Sequence, residues 1–439
     1  MDFLSFFSWL NETVFAIPST LLFFGVGVIL TLKIGVLQIR GFPRFMRLLT
    51  SGIKGKGKFD ESGEKRTINP FHALFTAMST TIGMGSIVGP SIAIMTGGPG
   101  ALFWMIIYIF FGSATKFAEV TFALDTRIQT EDGRVIGGPM QYLYSVSSWL
   151  ANWYGIAMMM LFAGWSSLQS NTLATIYAQE SVPKWTVGLG LAVLVWVVLH
   201  GGAQRVGALA SKLVPFMFVL YISCVFFILF SDLSAFAHAI SLVSYSVLQP
   251  EATIGGFLGA TMFETVRAGM HRAVFITEAG LGTASIPHAV ADTKNPTDQG
   301  LLAMFSGIAD IILSFLSGML VLVTGVWLSG DFRSTLIYEA FKLRAPGVAQ
   351  LALLVSISLF IITTVIGNSF NGSQSFAFMT NNRGTQLYMT FLVGVIFFGA
   401  LMPVPLIWTI MDTITIFVAV PNLIGILILS FRKPQVIKC

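Results

Sequence analysis

Charge is scarce in this chain: Asp, Glu, Lys and Arg make up 10% of its 439 residues, against roughly a quarter in a soluble domain. With 55% hydrophobic residues, that scarcity excludes a water-soluble protein. Cysteine is nearly missing too. Cys224 lies in an apolar run and Cys439 at the last position, which excludes a disulfide framework and a thiolate metal site. The opening MDFLSFFSWLNE has no positively charged stretch, the first basic residue being Lys33, so no cleaved signal is expected and the first helix is expected to stay attached. The five histidines (72, 200, 238, 271 and 288) are scattered, and none has a second ligand at helical spacing. No nucleophile constellation or phosphate loop lies near the apolar runs, so neither an enzyme nor a cofactor is supported. The net charge of +5 comes from basic residues in short connections without interleaved aromatics. It reports membrane orientation rather than nucleic-acid binding.

What the chain has is apolar runs, which recur from Ser19 to the C-terminus with no soluble domain between them. A bilayer core needs about 20 mostly apolar residues per helix. Windows between turn signals predict helices at 19–37, 70–96, 100–125, 152–177, 186–200 and 209–231, then at 253–270, 299–328, 347–367, 386–402 and 405–430. That makes eleven spans in a single transmembrane domain covering 1–439, with a polar, cytoplasmic connector over 41–69. An odd number puts the termini on opposite sides. With the N-terminus outside and the C-terminus in the cytoplasm, 21 of the 25 Lys and Arg residues fall inside, a strong positive-inside bias. Arg333, Lys342 and Arg344, in the 330–346 loop, are the local conflict.

The second predicted span, TAMSTTIGMGSIVGPSIAIMTGGPG, carries Gly83, Gly85, Gly89 and Pro90 at mid-depth. These residues weaken a helix. In lipid a free backbone group is tolerable only where it lines a cavity or meets a ligand, so a break there points to a binding site. One half-helix end would offer N–H groups to a carboxylate, and the other would offer carbonyls to a cation. Close helix packing through small residues is the competing explanation. A GxGxxG nucleotide loop is excluded for want of a βαβ unit. Polar residues inside other spans are Gln169, Asn171, Asp310, Thr363, Thr364 and Asp412; the structural alternatives are a helix-to-helix bond for Gln169, pairing with a nearby donor for the aspartates, and bonds to their own helix for the threonines. Glu119 and Glu278 are expected at the inner edge, pairing with Lys116 and Arg272. The segment 267–295 is too polar for lipid and too apolar for a linker.

Several stretches then occur in a telling order: GMGSIVGPSIAIMTGGPGALFWM at 83–105, ATKFAE at 114–119, GGPMQY at 137–142, FITEAGLGTA at 275–284 and DTITIFVAVPNL at 412–423. Together they resemble the alanine or glycine:cation symporter family, sodium-coupled bacterial carriers of the amino acid-polyamine-organocation superfamily. The resemblance covers nearly the whole chain. It implies an all-α membrane protein with the leucine-transporter-type fold, five helices repeated in inverted topology (70–231 and 253–430) behind one extra helix at 19–37. No convincing internal sequence repeat is visible. Carried over by motif, the substrate would lie at Thr81, Gly83, Met84, Gly85 and Gln169. Sodium would be held by the carbonyls of Ser79, Ile82 and Phe360 and the hydroxyls of Thr363 and Thr364. The chain departs from the family pattern at Ser86, Ile276 and Thr277, and GNSFNGS at 367–373 stands where the family has an aromatic-rich GWSYYGE. Asn368 and Asn371 make that region more polar.

The resemblance thus implies sodium-coupled symport of a small neutral amino acid, alanine (the D-form included) or glycine, across the bacterial inner membrane. The carrier is expected to work as a monomer in the lipid bilayer with sodium as its coupling ion and no cofactor. A proton-coupled carrier of another small zwitterion, with Asp310 carrying the proton, is the alternative in the same class. A sensor that binds without transporting is the alternative outside it. A channel would need a ring-lined pore, and nothing resembles a filter loop.

Overall fold

A computed structural model describes residues 3–51, 68–129, 135–200, 202–248, 261–293, 295–329, 335–381 and 383–438. In chain order the helices are α1 (Phe3–Trp9), α2 (Ala16–Lys33), α3 (Leu37–Arg40), α4 (Phe42–Ser51), α5 (Pro70–Thr81), α6 (Met84–Gly97) and α7 (Ala101–Asp125). After the two-residue strands β1 (Ile128–Gln129) and β2 (Val135–Ile136) come α8 (Pro139–Tyr144), α9 (Ser148–Ala178), α10 (Lys184–Leu199), α11 (Gly202–Ser231) and α12 (Leu233–Leu248). The rest are α13 (Met262–Thr277), α14 (Ser285–Ala289), α15 (Pro296–Thr324), α16 (Leu336–Arg344), α17 (Val348–Met379), α18 (Thr385–Gly399), α19 (Val404–Arg432) and α20 (Pro434–Ile437). Seven segments among the described residues are long and apolar enough to cross a membrane, the 28-residue stretch Pro70–Gly97 counting as one.

Starts and stops follow local chemistry. Asn69 caps α5, its Oδ1 accepting from the Phe71 N–H at 2.8 Å with Pro70 in the first turn. Asn295 and Pro296 open α15 in the same way, and Gly325 ends it in the left-handed region at φ 73°. Thr261 and Glu264 form a reciprocal capping box that starts α13 at Met262. The helix expected at 253–270 is therefore displaced. Its first residues lie outside those described, and α13 runs on to Thr277 through a polar stretch that is helical because its charged groups face protein, as with Arg272 on Asp412 at 2.6 Å.

Three other expectations change. The connector at 41–69 opens with helix α4, where Phe45 stacks on Phe305 at 4.6 Å and Arg44 pairs with Asp298 at 2.8 Å; residues 52–67 lie outside the described part. Helices α12 and α16 fall in stretches read as loops. Arg344, one of the residues against the charge rule, sits 3.5 Å from Asp232 at the start of α12. Finally, α17 extends to Met379, well beyond residue 367.

Around the centre, α13 packs along α6 and α7, α17 lies on α5, α9 and α11, and α19 covers α9. The residues just before α5 and just after α14 are joined. The Ile68 N–H donates to the Val290 carbonyl at 3.0 Å and the Asp292 N–H to the Ile68 carbonyl at 2.8 Å. The Arg127 guanidinium gathers the carbonyls of Ala289, Ala291 and Thr293 just beyond α14. We call this the hairpin end, after β1 and β2, and the opposite one the α12 end.

Candidate substrate and cation site

The second span is broken at the first of its glycines, whereas Gly85, Gly89 and Pro90 lie within helix. α5 stops at Thr81, Gly83 is extended (φ −150°, ψ −152°), and α6 restarts at Met84. At the end of α5 the carbonyls run out of helical partners. Met78 still accepts from Ile82 at 2.7 Å, and Thr81 accepts from Gly83 at 3.0 Å and from the Ser86 hydroxyl at 2.9 Å. The Ser79 carbonyl is met from another helix: the Thr364 hydroxyl of α17 donates to it at 2.9 Å. Close approach depends on two glycines. A Cβ at Gly83 would fall on the Thr364 hydroxyl, and one at Gly367 would stand 2.7 Å from both Ser79 Oγ and Thr80 Cγ2.

The two threonines thus part company. Thr363 bonds to its own helix, donating to the Leu359 carbonyl at 2.9 Å and the Phe360 carbonyl at 3.0 Å, whereas Thr364 crosses to the break. Gln169 on α9 is buried, and its carboxamide oxygen accepts nothing from the protein. Beside the break, Phe275 of α13 stands over Gly85, where a Cβ would meet its ring at 3.2 Å. Its ring lies 5.3 Å from that of Trp165 and 5.1 Å from that of Trp408, and Arg272, paired with Asp412, lies over Trp408 at 5.3 Å. This aromatic row and ion pair separate the break from the α12 end. From the hairpin end a cavity of 790 Å³ rises between α8, α14 and α17 as far as Phe370. Sequence reasoning missed Phe275, Trp165 and Trp408, because apolar rings in apolar spans carry no signal until helices are placed side by side.

The second interruption lies between α13 and α14 and is held from outside. One oxygen of Glu119 accepts from the N–H groups of Gly280 and Gly282, each at 3.0 Å, and from the Asn422 amide at 2.8 Å. Tyr142 donates to Oδ1 of the Asn422 side chain at 2.5 Å, and Tyr154 and Tyr108 donate to the backbone carbonyls of Leu281 and Ala279. The ion pairs expected for Glu119 and Glu278 do not form. Lys116 instead lies 3.2 Å from Ser306 Oγ and 3.9 Å from Asp310, while Glu278 accepts from Thr80 at 3.2 Å, joining the two breaks. Asp412 pairs with Arg272 at 2.6 Å, its structural reading, whereas neither oxygen of Asp310 has a hydrogen-bond partner.

The profile of the sodium:alanine symporter family matches residues 1–438. The chain belongs to this family. It is 32% identical over 443 residues to the sodium/alanine symporter AgcS of Methanococcus maripaludis, covering 98% of this chain and 95% of that one. Among solved structures, MhsT in complex with L-phenylalanine superimposes with a TM-score of 0.62 at 14% identity over 84% of this chain and 90% of its own. A Na+-coupled sialic acid symporter in a substrate-bound outward-open state does so with 0.53 at 12% identity over 94% and 82%. These two share the fold. This member of the sodium:alanine symporter family is accordingly a multi-pass membrane protein and a secondary transporter.

One consequence concerns stability. In Gly83→Ala the added methyl has to displace the Thr364 hydroxyl, and overpacking of this kind costs about 1–3 kcal/mol. Thermal unfolding in detergent is expected to fall by several degrees, whereas Gly25→Ala, where a Cβ meets nothing within 4 Å, is expected to unfold as the parent does.

Proposed function

We propose that the carrier couples uptake of a small neutral amino acid, glycine or either enantiomer of alanine, to sodium by alternating access. The observation that carries this reading is the hydroxyl-to-carbonyl contact from Thr364 to Ser79 at the break. There, orphaned carbonyls of α5 and a hydroxyl of α17 converge, and a hard cation takes oxygen ligands of both kinds. In this reading the carbonyls of Ser79, Ile82 and Phe360 and the hydroxyls of Thr364 and Thr363 hold sodium, the latter after turning from its own helix. The backbone at Met84 and Gly85, at the positive end of α6, faces the carboxylate beside Thr81 and Gly83. Eleven spans follow if α9, α10, α18 and the interrupted α13–α14 cross as well. They divide into an extra helix, α2, and two inverted groups of five, within 70–231 and 253–430. The positive-inside bias puts the hairpin end and the C-terminus in the cytoplasm of the bacterial inner membrane, with the monomer as the working unit.

Radiolabelled alanine uptake into proteoliposomes, with and without a sodium gradient, tests the proposal. Equal uptake in both would remove sodium coupling. Uptake that follows a proton gradient instead would favour Asp310, fully buried beside Lys116, as the proton carrier. Saturable binding without uptake would favour a sensor. For Gln169→Ala, loss of a buried hydrogen-bonding group is expected to weaken substrate binding by about 1–3 kcal/mol with protein abundance maintained. An unchanged apparent affinity would return Gln169 to helix packing.

A further inference from the structure

Helix α17 carries two carboxamides that the protein leaves unsatisfied. Asn368 and Asn371 are 1% and 0% exposed, and none of their four side-chain polar atoms has a hydrogen-bond partner. Asparagines in a membrane interior bond across to a neighbouring helix or face a functional cavity, and a buried polar group left unpaired is costly. Position indicates what could pair these. Residues 364, 367, 368 and 371 form one stripe of a helix. Thr364 and Gly367 at its upper end lie against Ser79 and Thr80, and Asn368 follows one turn, about 6 Å, further on. The cavity from the hairpin end reaches Phe370 and Gln374, so both amides stand between the break and the opening at the hairpin end. On the facing α9, contacts of Gly155 with Met379 and of Phe162 with Gly372 set an antiparallel register that brings Ser166 level with Asn368. Its hydroxyl is buried without a partner as well.

We propose that Asn368 and Asn371 read the side chain of the transported amino acid and select a carboxamide, as in asparagine or glutamine. This rests on the amino-acid carrier reading above and extends the substrate from alanine to a larger neutral side chain. The amides offer two acceptors and two donor groups. An aliphatic side chain pairs none of them. A carboxylate supplies only acceptors and an ammonium only donors, and neither amide carries a charge to offset theirs. A hydroxyl has one hydrogen to donate, whereas a carboxamide supplies two and an acceptor oxygen without charge, which suits a pair of amides.

The test is uptake into proteoliposomes of radiolabelled alanine, asparagine and glutamine, together with competition by leucine, the near-isostere of asparagine without hydrogen-bonding groups, and by glutamate. Asparagine or glutamine is expected to compete at a concentration at least tenfold below that of leucine and glutamate. In Asn368→Leu/Asn371→Leu that ratio is expected to collapse towards one. Leucine competing as well as the carboxamides in the parent protein overturns the proposal without any variant, and a ratio that survives both substitutions overturns the assignment to these residues. Transport of alanine with no preference for carboxamides defeats this inference alone, whereas transport of no amino acid defeats the carrier reading beneath it.

Discussion

Thr364→Val is expected to abolish the sodium dependence of alanine binding while the protein still folds and inserts. Valine keeps the shape of threonine and removes one oxygen from the point where α17 meets the broken end of α5. The partner of that hydroxyl, the Ser79 carbonyl at 2.9 Å, is itself a proposed ligand, so the substitution removes one oxygen and the contact that positions another. Cation and substrate affect each other's affinity only through a coupling free energy, typically about 1–3 kcal/mol and equal in both directions. Losing it makes the alanine affinity the same with and without sodium, a change of roughly 5- to 150-fold at saturating sodium. Thr363→Val is expected to do less. Its hydroxyl has partners in its own helix at 2.9 and 3.0 Å and must give them up to reach a cation, so part of what it contributes is offset. A sodium titration of alanine binding in the two variants separates the residues. An unaltered sodium midpoint in Thr364→Val would defeat the cation assignment, and equal shifts in both would make the threonines equivalent ligands.

That distinction shows where sequence stops being informative. Adjacent threonines in an apolar run look alike, yet at 100° per residue they face different neighbours, and only the placement of α5 tells which one is bonded outward. The break in the second span was legible because Gly83 acts locally, although Gly85 and Pro90, which weaken a helix in the same way, lie within α6. So were most span positions, since a run of apolar residues needs no partner to be recognised. The capping box at Thr261 and Glu264 was also present in the sequence, and reading it would have placed α13 at Met262 rather than ahead of it. Helix α9 is a different case. Its 31 residues exceed the span of a bilayer core, yet the buried run Ser166–Thr172 makes it less apolar than the seven segments named above. Those same polar groups bring Gln169 and Ser166 into the interior.

The ion pairs expected for Glu119 failed for a related reason. Charge proximity along the chain suggested Lys116, three residues before it, but the lysine turns to Ser306 and Asp310 and leaves the glutamate facing the second interruption. Four of the stretches that carry the family resemblance then prove to be one object. ATKFAE supplies Glu119, GGPMQY supplies Tyr142, FITEAGLGTA supplies the free N–H groups of Gly280 and Gly282, and the PNL of the last stretch supplies Asn422. Motifs far apart in sequence meet because an unwound backbone in lipid must have its polar groups met by side chains.

The expected result for Glu119→Ala follows from that arrangement. The substitution leaves the N–H groups of Gly280 and Gly282 and one amide hydrogen of Asn422 without an acceptor, and each buried donor so abandoned costs about 1–3 kcal/mol. Native membrane domains are marginally stable against terms of this size, so folded protein recovered from the membrane is expected to fall several-fold and its unfolding temperature in detergent to drop sharply. Glu119→Gln retains a carbonyl oxygen in the same place and is expected to recover most of the loss. Glycine at 280 and 282 is part of the same device, for both residues lie at positive φ, 94° and 78°, where a side chain is strained and the N–H groups turn towards Glu119. A Glu119→Ala protein as abundant and as heat-resistant as the parent would show that the unwound segment keeps its shape without the carboxylate. Glu119→Gln as damaging as Ala would mean that the charge, and not the acceptor, holds it.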